Sequence, residues 1–307
     1  MKRFSKLCIA LSAAGLLAGG LSGFYGEGHA ETAGAFYGKE AQDLYHRRGE
    51  DFDNAKKAAE IYRQLGMEAE QEFEKAQFKI KEAQALYFYG DLLSSDLLIS
   101  RKKKEELHRQ GFESAHRAVR LLTGGDRFSD SPKDPAHKRE LALAHYFSAG
   151  NIGRWALARG IPASLGRWPE MVKHLEAVVK NDPGVEDYGT DRIFGRAYMK
   201  LPLTAGGSYE KSEKHLKKAY ESTLHREFKT SANATTTAYY LDILATRDNA
   251  DAFCPVYRSF SALLDASEQA LEKLNPEMLP ETQLGLERFQ SGTGYDRDIH
   301  GYFDSNC

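Results

Sequence analysis

Residues 195–207 read GRAYMKLPLTAGG, and Ser208, Lys211 and Ser212 follow. Paired glycines ahead of a Lys-Ser step can cradle a phosphate on backbone N–H groups. That chemistry needs G-x-x-x-x-G-K-[ST] between a strand and a helix. Here Glu210 stands where the second glycine must be, and the segment before it has helical periodicity. An acid at that point repels phosphate, so the stretch reads as a turn. Pro202 stops one helix, Gly206 and Gly207 allow positive φ, and Ser208 caps the next helix with Glu210 in its first turn.

Ten histidines are the next candidates. His108 and His116 are too far apart for one helical turn. His137 and His145 share a face, but neither has a carboxylate at i±4. There is no HExxH or GxSxG, so the pattern offers no metal site, no cofactor and no catalytic residue. A hydrolase would need an acid/base pair assembled only in three dimensions. Lys102–Lys104 with Glu105 and Glu106 read as a solvated helix face. Asn233-Ala234-Thr235 fits a glycosylation sequon.

A groove remains as a binding candidate. Tyr146, Trp155 and Trp168 gather in the middle of the chain, with Tyr198 beyond them. Arg154 and Arg196 each follow a glycine, and a guanidinium there could take an anion bidentately. Core packing and structural salt bridges are the competing readings of these six residues.

These side chains need helices to place them. Ala55, Ala58, Ala59, Tyr62 and Leu65 share a helical face, as do Phe73, Ala76, Ile80, Ala83 and Tyr87. Phe112, Ala115, Val119 and Leu122 form a third stripe. His137 to Arg159 is apolar on several sides, as an inner helix is. About nine or ten helices joined by short turns are expected, with no convincing strand. Lys173-His174-Leu175 recurs as Lys214-His215-Leu216, each on the second helix of a pair. The expected fold is all-α: stacked antiparallel hairpins in a compact, tetratricopeptide-like solenoid.

The 307 residues carry a formal net charge of -2, which gives no electrostatic case for nucleic acid. Lys2, Arg3 and Lys6, an apolar Leu7–Leu21 run and Gly28-His29-Ala30 read as a signal peptide over 1–30. Cys8 precedes the end of the apolar run, so no lipobox is present. The expected organisation is then a helical repeat domain over 31–284 and an irregular tail over 285–307 packed on the body. The expected destination is the periplasm or the exterior. Cys254 and Cys307 remain after export, and an even count in that compartment favours a disulfide over two thiols.

Gly195-Arg196-Ala197-Tyr198, Leu201-Pro202, Gly206-Gly207, Ser212, His215 and Ala219 together resemble a signature of the T-component family of tripartite ATP-independent periplasmic (TRAP) transporters. His145 to Ala156 resembles that family's A-x-Y-W-x-A-x-x-x-G-x-x-A helix. The likeness covers roughly residues 100–225. It implies an exported, non-enzymatic, tetratricopeptide-like protein. The implied partner is a periplasmic solute-binding protein, the implied ligand a small hydrophobic solute, and a homo-oligomer is open. A general envelope scaffold without a ligand is the alternative.

Overall fold

The computed structural model describes residues 33–92, 98–125, 132–275 and 278–307. The proposed signal peptide and Cys8 lie outside them. The described chain is all-α, in the order α1 (Ala33–His46), α2 (Asp53–Glu68), α3 (Glu72–Leu92), α4 (Leu98–Thr123), α5 (Pro135–Arg159), α6 (Ile161–Asn181), α7 (Val185–Lys200), α8 (Tyr209–Ser222), α9 (Ala234–Thr246), α10 (Ala250–Ser261), α11 (Glu268–Leu274), α12 (Leu279–Ser291) and α13 (Ile299–Asn306). A two-residue antiparallel pair, β1 (Leu224–His225) with β2 (Thr230–Ser231), bridges α8 to α9. Periodicity cannot register so short a ladder.

Helices α1 to α6 each pack on the next, α7 packs mainly on α8, and α3, α5, α7 and α9 also touch in sequence. This is the layering of a hairpin stack, with the odd-numbered helices innermost. Helix α5 is the central member: residues 144–152 are buried without interruption. Asp134 caps it by accepting from the His137 N–H at 2.9 Å, and Pro135 fills its first position, where no N–H is needed. Gly160, at φ 104°, ends it.

Two expectations from the sequence need correction. The segment 285–307 is largely helical: it holds the end of α12 and all of α13. Phe289 and Ile299 are almost fully buried against α9 and α10. The glycines and acids around residues 291–298 hid two short helices whose formation depends on that packing. In the turn after α7, Gly206 takes φ 89° but Gly207 does not need a positive φ. A Cβ on Gly207 would strike the Leu201 carbonyl, so that position needs glycine for close backbone approach. Ser208 caps α8 as expected, accepting from the Lys211 N–H at 3.2 Å.

The stack is closed at both ends. Helix α12 touches both α9 and the short turn of 3-10 helix at Arg47–Gly49. There the buried Arg48 grips Glu281 bidentately at 2.7 and 2.9 Å. At the C-terminus Cys254 and Cys307 are bridged, with Cα atoms 5.6 Å apart, which ties α13 to α10. Among the described residues no helix is long and apolar enough to cross a membrane.

Candidate functional site

Helices α5 to α8 gather three of the six side chains singled out in the sequence. Trp155 from α5, Trp168 and Met171 from α6, and Phe194 and Tyr198 from α7 form one apolar cluster. Trp168 meets Phe194 and Tyr198 edge-on, with centroids 6.2 and 5.9 Å away. Tyr198 stacks on both Phe194 and the His215 ring of α8, tilted by only 18° and 22°. Trp155 donates from Nε1 to Glu105 at 3.3 Å. The outer faces are covered by cations: Arg167 lies 4.6 Å over Trp155 and Lys211 5.4 Å over Tyr198. Trp155, Trp168 and Tyr198 are half-buried, so this is a wall with a solvent side.

The other three candidates go elsewhere. Tyr146 is buried on the opposite flank of α5, where its hydroxyl accepts from Arg192 at 3.1 Å. Burial pushes its phenol well above the ordinary range despite the Arg192 charge. Arg192 also donates to the carbonyls of Glu186 and Asp187 at 3.2 and 3.3 Å. Those two residues and Tyr188 form a left-handed turn, with φ of 52°, 54° and 56°. Each non-glycine residue there costs about 1–2 kcal/mol, and the buried guanidinium holds the turn in place. Arg196 is committed to Asp242 at 2.7 Å and lies over the Tyr239 ring. Arg154 pairs with Asp91 of α3 at 3.1 Å and donates to the Tyr87 hydroxyl at 3.3 Å. Burial opposes its charge, but Asp91 and Tyr87 outweigh that and hold the cation firmly.

Histidine pairing escaped the sequence pattern. His137 has its carboxylate at i−3, in the capping Asp134, 2.8 Å away. His145 meets His174 across the α5–α6 interface, with Nδ1 atoms 2.9 Å apart, and the His116 ring stands 5.8 Å from His174. Burial lowers His145 to about 4, and burial together with His145 and His116 lowers His174 further. Two neutral rings sharing one proton between Nδ1 atoms fit this spacing. His108, buried beside Asn151, is also lowered to about 4, by burial. Among the described residues no three His, Cys, Asp or Glu side chains converge to hold a metal ion.

The run 101–106 is not uniformly solvated. Lys104 turns inward toward Asp91, and Glu105 is shared by Trp155 and Arg159. Asn233 of the sequon is buried and caps α9 by accepting from the Thr236 N–H at 3.2 Å, so the folded chain does not present it to a glycosylating enzyme. A periodicity search could not find Asp91 or Glu105, because their partners lie 63 and 50 residues away.

No family model matches the chain, and no curated protein matches it.

Proposed function

We propose that this protein is an exported, non-enzymatic docking protein whose binding face is the aromatic wall of α5 to α8. The observation that carries the reading is the half-buried set Trp155, Trp168 and Tyr198, laid side by side with cations over the ring faces. Aromatic and arginine side chains at a semi-exposed patch are what protein interfaces concentrate. The wall falls within the stretch that resembles the TRAP T-component family. The partner we propose is therefore a periplasmic solute-binding protein of such a system. The rings fill one another's space, which favours docking over storage of a small hydrophobic solute. An envelope scaffold with a different protein partner is the second reading, supported by the same wall.

The test uses the chain without residues 1–30, captured on a sensor and exposed to a TRAP-type solute-binding protein from the same source. Replacing Trp155 and Tyr198 by Ala, with helicity and melting checked, is expected to weaken binding about thirtyfold or more, the effect of losing one hot-spot residue. Unchanged affinity in a folded double variant removes the wall from the interface. Failure of the unaltered chain to bind moves the assignment to the scaffold reading. Native mass spectrometry of protein drawn gently from its envelope fraction would then name the companion.

A further inference from the structure

Around the N-terminal turns of α4 and the last turn of α5 lies a cleft of about 350 Å³. Arg101, Lys104, Arg154 and Arg159 line it, with Leu157 and Ala158 as apolar neighbours. Arg288 of α12 is close enough to act electrostatically on Lys104 and Asp91. Among the described residues, two carboxylates form ion pairs with these cations. Asp91 takes Arg154 at 3.1 Å and Lys104 at 3.9 Å, and Glu105 takes Arg159 at 3.3 Å. Arg101 makes no ion pair among the described residues. The Tyr87 hydroxyl accepts from Arg154 at 3.3 Å, and burial keeps both its phenol and the His108 ring neutral.

Among the described residues, positive charge therefore exceeds negative charge in this open, concave space. Lys104 is under opposing influences. Burial lowers it, and although Asp91 raises it, Arg154 and Arg288 push it down again. The α4 N-terminus adds positive partial charge, and the α5 C-terminus offsets some of it. An incoming anion would relieve the repulsion among the cations, and because Leu157 and Arg159 are exposed that attraction is screened by added salt. Three guanidinium groups in the lining also suit oxygen pairs, which a fork of N–H donors engages bidentately.

We propose that this cleft binds a small polyvalent anion presenting clustered oxygens, either a phosphate monoester or a di- or tricarboxylate. The site is independent of the docking role, although Arg159 reaches from its rim over the Trp155 ring.

Isothermal titration of the chain without residues 1–30, at low ionic strength, tests it with inorganic phosphate and citrate as separate probes. One site per chain is expected for at least one of them. Binding of phosphate alone assigns the phosphate-ester class, and binding of citrate alone assigns the carboxylates. The variant Arg101→Gln/Arg159→Gln changes two solvent-reaching side chains and should leave the fold intact. It is expected to weaken binding at least tenfold. Arg154→Lys keeps the charge but loses the fork, and is expected to weaken binding less. Failure of both anions to bind overturns the proposal. So does a folded Arg101→Gln/Arg159→Gln variant that binds as tightly as the parent chain.

Discussion

The Lys-His-Leu triplet occurs twice, and its two copies have different fates. In both, the leucine is fully buried: Leu175 in α6 and Leu216 in α8. In both, the histidine turns toward the preceding odd-numbered helix. His174 meets another histidine, His145, in a closed interior. His215 meets the Asp191 carboxylate at 2.8 Å and remains part-exposed, with Lys218 completing the group at 2.7 Å. The same three residues thus make a neutral ring pair in one hairpin and a charged cluster in the next. The facing helix decides which.

Acidification separates the two copies most strongly. His145 and His174 are neutral in the fold but charge in the unfolded chain below about pH 6.5. The unfolded state then binds more protons, so stability falls as pH drops from 6.5 toward 4. The loss is about 1.4 kcal/mol per pH unit for each histidine. His108 follows the same sign. Asp191 follows the same sign in a lower pH window. Burial disfavours its charge, yet hydrogen bonds from His215 and Lys218 prevail and hold the carboxyl below its usual range. Its contribution is present above pH about 4 and is lost only below that. Urea unfolding between pH 6.5 and 5 should show a steep loss of stability. The double variant His145→Leu/His174→Leu should reduce that slope by more than half, and an unchanged slope would count against the neutral pair.

Helix approach differs next. A methyl on Gly195 of α7 would run into the branched end of Leu216, with Cδ2 2.8 Å away. A methyl on Gly153 of α5 meets only the Met171 sulfur at 2.9 Å, the far end of a flexible chain. Gly195→Ala should therefore destabilise by about 1–3 kcal/mol. Gly153→Ala should fall within about 0.5 kcal/mol of neutral, because the better helix former offsets a displaced methionine. Thermal melts of the two variants side by side would show whether the α7–α8 contact is the tighter one.

The smallest effect concerns the rim of the second copy. Lys218 is half-exposed, at 53%, while Asp191 is buried. Lys218→Ala should cost no more than about 1 kcal/mol and should fade with added salt. A loss several times larger would mean that the cluster is as closed as the histidine pair.

The helical faces could be read directly, because 3.6-residue spacing is a local property of the chain. Ala55, Ala58, Ala59, Tyr62 and Leu65 are buried together in α2, as their spacing requires. The all-round apolar character of 137–159 marked α5 as the inner helix. Compartment chemistry anticipated the Cys254–Cys307 bridge. Of the six groove candidates, Trp155, Trp168 and Tyr198 lie in one apolar cluster, which no spacing along a single helix could bring together. Tyr146 went to Arg192 and Arg196 to Asp242, over separations of 46 residues in each case.

The sequence by itself therefore determined an all-helical chain, its inner helix, the stop at Pro202 and Gly206, and the absence of any local catalytic motif. Each of these rests on neighbours within a turn or two. Only the tertiary structure decided which charges meet. It placed Asp91 against Arg154, left the α4–α5 cleft with surplus cations, closed the stack through Arg48 and Glu281, and set His174 against His145. Burial sets the electrostatic behaviour of those groups, and burial depends on helices that are distant in sequence. No spacing rule along one helix contains that information.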